Sequence, residues 1–72
     1  MEINQILAQN IRVLMAKKDK KISDVWREAD IARSTLTDLS KGKTKQISFS
    51  TLEKLSNYFE IETYKLFKKD GI

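Results

Sequence analysis

A chain of 72 residues with a net charge of +4 has room for one small domain, which buries about 60% of the surface its unfolded form would expose. It has no cysteine and no histidine, which excludes disulfide staples, thiolate or imidazole metal sites, and Cys- or His-based catalysis, so no catalytic residue, metal or cofactor is expected. Proline is absent, glycine stands only at Gly42 and Gly71, and no apolar run serves as a signal peptide or approaches the ~20 residues of a membrane span; an all-helical, cytoplasmic protein with no membrane partner is expected.

Ile3, Leu7, Ile11, Leu14 and Met15 recur at helical spacing between polar residues, which predicts an amphipathic helix over residues 4–17. The run Lys17-Lys18-Asp19-Lys20-Lys21 breaks that period and reads as a solvated connector whose lysines offset the carbonyl end of the helix. Val25, Ala29, Ile31, Leu36 and Leu39 supply the apolar side of two further helices, 23–29 and 32–41, and their phase changes at Asp30-Ile31. Gly42 follows the last periodic residue and can take positive φ cheaply, so it closes the third helix.

Residues 43–46 form a polar loop, with Ile47 and Phe49 expected to pin its far end to the core. Ser50-Thr51-Leu52-Glu53 has the form of a capping box, which starts a fourth helix over 51–59 with Leu52, Leu55 and Phe59 on one face. Ile61, Leu66 and Phe67 suggest a fifth helix over 63–68, followed by a frayed tail to residue 72. The expectation is an all-α, five-helix bundle forming one domain over 1–72, with a helix-turn-helix motif at 22–41.

Leu36 and Leu39 must face inward, which leaves Arg33, Ser34, Thr37, Asp38 and Lys41 on the outside of the third helix. In a small basic chain these are candidate base readers. Arg33 can give two parallel hydrogen bonds to guanine O6 and N7, Ser34 and Thr37 can meet several base edges, and Asp38 can accept from cytosine N4 or repel phosphate. The carboxylates Asp24 and Glu28 stand at i, i+4 spacing, but with no histidine or glycine-rich loop beside them they read as surface charge rather than an acid–base pair.

Over residues 4–67 the sequence resembles the Cro/CI-type (Xre-like) helix-turn-helix domains of bacterial and phage regulators, which have the lambda-repressor-like fold. Two blocks carry the resemblance: Ile31-Ala32-Arg33-Ser34-Thr35-Leu36 followed by Leu39 and Lys41-Gly42, and Ile47-Ser48-Phe49-Ser50-Thr51-Leu52-Glu53-Lys54-Leu55. It implies that the third helix enters the major groove of operator double-stranded DNA while the second crosses the backbone. It also implies phosphate contacts from Lys41, Lys43 and Lys45 at and beyond the end of the third helix. The chain departs from the family pattern at Ile22, often Gln; at Trp26, usually a small Ala; at Asp30, usually Gly; and at Ala32, usually a capping Ser.

Two functions follow as expectations. The first is a sequence-specific DNA-binding transcriptional regulator in a phage or prophage genetic switch, acting as a homodimer through Tyr58, Tyr64 and Phe67. The second is a modulator that complexes a phage repressor protein through an interface of Trp26, Glu28, Asp30, Asp38, Tyr58 and Tyr64. Trp26 reads either as a core anchor, the ordinary fate of a lone tryptophan, or as an exposed interface residue; Tyr58 and Tyr64 share that choice, and helix packing is the expectation for both.

Overall fold

The computed structural model describes residues 2–69 as α1 (Ile3–Lys17), α2 (Ile22–Ala29), α3 (Arg33–Lys41), α4 (Phe49–Phe59) and a closing 3-10 helix (Thr63–Phe67), with no strand among them. Leu7, Ile11 and Leu14 of α1 meet Val25, Ile31, Leu36, Leu39, Leu55, Phe59 and Leu66 in one core, each at most 4% exposed. Ile3, expected on the same stripe, is exposed in the first turn of α1.

The expected fifth α-helix is absent: residues Thr63–Phe67 form a 3-10 helix in which Lys65 N donates to Glu62 O at 3.0 Å. So short a segment cannot offset the cost of α-helix nucleation. Its carbonyls are taken from outside instead. Asn10 of α1, 3% exposed, donates from Nδ2 to Leu66 O at 2.8 Å and to Lys68 O at 3.0 Å, which ends the helix against α1. On the other side Ser56 shares a 2.8 Å hydroxyl–hydroxyl hydrogen bond with Thr63. The expected frayed tail falls largely on residues 70–72, outside the described residues.

The start of α4 also differs from expectation. Ser48, not Ser50, is the N-cap: its Oγ accepts from Thr51 N at 3.1 Å, and α4 begins at Phe49. With the cap at Ser48, the residue before it, Ile47, and the fourth helical residue, Leu52, are both half-buried against the core, as in a hydrophobic staple. A cap at Ser50 would put Phe49 and Lys54 in those places, and no apolar pair would form. Phe49 is consequently 88% exposed and does not pin the loop.

A left-handed residue caps α2, α3 and α4, Asp30 (φ 58), Gly42 (φ 73) and Glu60 (φ 56), and another, Asp19 (φ 55), stands one residue beyond the α1 cap Lys18. At three of these ends the residue that follows donates back across the last turn, Lys20 N to Met15 O, Lys43 N to Asp38 O and Ile61 N to Ser56 O, at 2.8–3.0 Å. Asp30 holds the turn between α2 and α3, and Ile31, buried behind it, fastens that turn to the core.

Candidate nucleic-acid interface

The exposed arc of α3 follows from its buried one. With Leu36 and Leu39 each 1% exposed, Arg33, Ser34, Asp38 and Lys41 stand in solvent and Thr37 is half-buried at their edge. Among the described residues none of these five side chains makes a hydrogen bond or ion pair within the chain, so their donors and acceptors are open to a ligand. Ala32 caps α3 with its backbone only, leaving the first-turn amides without a side-chain acceptor and the positive end of the helix open.

The far end of α3 is tied to α1. Asn4 Nδ2 donates to Gly42 O at 2.7 Å, and Arg12 donates from its guanidinium to Ser40 O. Gly42 suits this position because it takes positive φ (73°) without strain, and a Cβ here would also displace the Gln5 side-chain amide, whose Nε2 would lie 2.6 Å away. Lys43 and Lys45 extend from this clamped end and are both exposed, as is Lys41 in the last turn.

The acidic and aromatic residues expected at a protein interface sort differently. Glu28 accepts from the Tyr58 hydroxyl and pairs with Lys20 Nζ at 3.0 Å, joining α2 to α4 and to the α1–α2 connector. Hydrogen bonding, first from Tyr58 and then from Lys20, holds the Glu28 carboxyl below its usual range. The same bond from Glu28 raises Lys20, while partial burial, followed by Glu28, raises the Tyr58 phenol. Asp30 receives Lys54 Nζ on its backbone carbonyl at 3.0 Å and on its carboxylate at 3.6 Å. Asp24 accepts from Lys21 N at 3.0 Å, which caps α2 and is the main cause of its lowered pKa, and it also receives Arg27. Tyr58 is half-buried, whereas Tyr64 is 65% exposed and does not pack as expected.

Trp26 is not a core anchor: it is 43% exposed. Val25, its neighbour, takes the core position at 0% exposure, and one residue on, the helix turns the indole out toward α3. There the Arg33 guanidinium lies over the indole ring, 4.6 Å from its centroid. The sequence offers Trp26 and Arg33 separately; their contact arises only because the turn at residues 30–32 folds α3 back against α2.

The model of the Cro/C1-type HTH DNA-binding domain matches residues 10–66 of the chain. The crystal structure of SinR, described as the master regulator for biofilm formation and solved in complex with DNA, is similar with a TM-score of 0.80. The two sequences are 22% identical, the match covers 86% of this chain and 98% of that chain, and at this identity the likeness is one of fold. No curated protein matches the sequence.

Proposed function

This chain belongs to the Cro/C1-type helix-turn-helix DNA-binding family, and from that premise we propose that it is a sequence-specific transcriptional regulator that lays α3 in the major groove of operator DNA. The family is a DNA-binding one without an enzymatic step. The observation that carries the reading is the outward arc of Arg33, Ser34, Thr37, Asp38 and Lys41, whose side chains make no hydrogen bond or ion pair among the described residues, opposite the buried Leu36 and Leu39. Arg33 reads guanine, Ser34 and Thr37 meet neighbouring base edges, Asp38 favours cytosine N4 over phosphate, and Lys41, Lys43 and Lys45 hold the backbone. The neighbour SinR was solved in complex with DNA, which supports the same use of the fold here.

The modulator reading has less support. Glu28 is taken up by Lys20 and Tyr58, and Trp26 is partly covered by Arg33, so less of that surface is free for a partner repressor, although the Asp30 carboxylate stays in solvent. A homodimer is proposed for a palindromic operator, whose half-sites lie about 34 Å apart, with the exposed Tyr64 on the 3-10 helix as its contact. A cytoplasmic setting accompanies DNA binding, and no helix among the described residues is long and apolar enough to cross a membrane. The phage or prophage switch is carried over from the motif resemblance.

The test is selection of binding sites by the protein from a random duplex pool, followed by titration of Arg33→Ala on the selected site. Loss of about 1 to 3 kcal/mol, with relaxed preference at one base pair, is expected. Failure to enrich any sequence, or enrichment that Arg33→Ala leaves intact, overturns the reading.

A further inference from the structure

We propose that Trp26 is a positioning residue for base recognition: its indole face holds the Arg33 guanidinium so that the N–H edge of Arg33 is presented, already oriented, to one base pair. The proposal rests on the operator-reading role above. It is carried by the Arg33 guanidinium carbon lying 4.6 Å over the Trp26 ring centroid, by the 43% exposure of an indole that the core does not use, and by the absence of any other partner for Arg33 among the described residues.

The geometry suits this role. Cation–π attraction occupies the flat face of a guanidinium, whereas the bidentate contact to guanine O6 and N7 uses donors in its plane. The two interactions therefore need not compete. A free arginine loses considerable rotamer freedom when it is fixed in a groove, and an arginine already laid on an indole has lost part of it before DNA arrives. Two nearby carboxylates have other partners, Asp24 holding Arg27 and Glu28 holding Lys20 and Tyr58, and Arg33 pairs with no carboxylate among the described residues. The bulky residue on α2 thus acts through its neighbour on α3, and preference for guanine at the Arg33 position becomes a joint property of the two helices.

The test is a double-mutant cycle on the full chain with Trp26→Ala, Arg33→Ala and the double variant, titrated on the duplex selected by the unaltered protein and on that duplex with the Arg33-dependent base pair replaced. Trp26→Ala is expected to weaken binding to the selected duplex by roughly 3- to 10-fold. It should have no further effect once Arg33 is alanine or the base pair is changed. Trp26→Phe, which retains an aromatic face, should recover most of the loss. In the free protein the Arg33 δ-proton resonances should sit upfield through the indole ring current and return on Trp26→Ala, a readout that needs no DNA. Losses that add independently, or unshifted Arg33 resonances, overturn the proposal while leaving operator reading by α3 standing. If the protein enriches no sequence, or Arg33→Ala leaves the preference unchanged, operator reading by Arg33 falls, and this proposal with it.

Discussion

Asn10 is the most consequential polar residue in the bundle, and its replacement by leucine tests how the chain's last segment is held. The side chain is 3% exposed and ties α1 to Leu66 O at 2.8 Å and Lys68 O at 3.0 Å. Leucine has a similar size but no donor, so these carbonyls, and that of Lys65 with its longer 3.3 Å contact, lose their partner at once. The Leu66 carbonyl is buried and stays unsatisfied, at a cost of about 2 to 3 kcal/mol, while the Lys68 carbonyl can recover water and costs nearer ~1 kcal/mol. The extra apolar burial of leucine offsets about 1 kcal/mol. A net loss of about 2 to 3 kcal/mol remains, a large share of the ~4 to 11 kcal/mol that a domain of this length possesses. Urea unfolding followed by far-UV circular dichroism measures the loss, and native-state hydrogen exchange should show the Lys65 and Lys68 amides opening first. A loss below about 1 kcal/mol, or unchanged exchange at those amides, would refute the assignment of Asn10 as the clamp of the 3-10 helix.

Glu60 sits at φ 56 without the excuse of a glycine or an aspartate, so Glu60→Gly should raise stability by about 0.5 to 1 kcal/mol in the same urea assay; a loss would show that the side chain contributes more than its backbone costs. Phe49→Ser should leave stability within about 0.5 kcal/mol of the parent, since the ring is 88% exposed, whereas Ile47→Ala should cost about 1 to 2 kcal/mol. Because the folded state lowers the Glu28 pKa from its ordinary 4.5, its contribution is complete above that value and is lost as pH falls through the folded value. The stability difference between the parent and Glu28→Gln should therefore shrink on acidification below about pH 4.5. It should also shrink in strong alkali, where Tyr58 and Lys20, both raised, give up their protons, and a difference flat across pH would dismiss the network. Lys43→Ala and Lys45→Ala should each weaken binding to selected and unrelated duplexes alike and reduce the slope of log affinity against log salt by about 0.9; a base-specific effect would contradict a phosphate role.

What could be read from the sequence was local. Gly42 and Asp30 mark helix ends by backbone preference alone, and Leu36 with Leu39 fixes which arc of α3 faces solvent through the helical period. Features that depend on two segments meeting were less legible. Ser50, with Glu53 three residues on, is the better cap in isolation, and the pairing of Ile47 with Leu52 favours Ser48 instead. Asn10 carried an overlooked signal: it lies three residues after Leu7 and four before Leu14, a polar residue on an apolar stripe, which demands a buried partner. The Trp26 stack had no such signal, because the spacing along the chain from Trp26 to Arg33 spans a turn whose angle no helical period supplies.

The placement of α3 then follows from its two ends. At its start, Ile31 is buried and Asp30 is held by Lys54 of α4, so the turn cannot shift without disturbing the core. At its finish, Asn4 and Arg12 of α1 take the carbonyls of Gly42 and Ser40, which the helix itself leaves unpaired. Between these anchors only Leu36 and Leu39 are buried, so the outer arc can vary in sequence with little consequence for the fold. Arg33 lies at the first anchor and Lys41, Lys43 and Lys45 at or beyond the second. The distance between the proposed base reader and the lysines proposed to hold phosphate is therefore set by the bundle and not by the DNA, the condition under which phosphate contacts can fix the register in which bases are read.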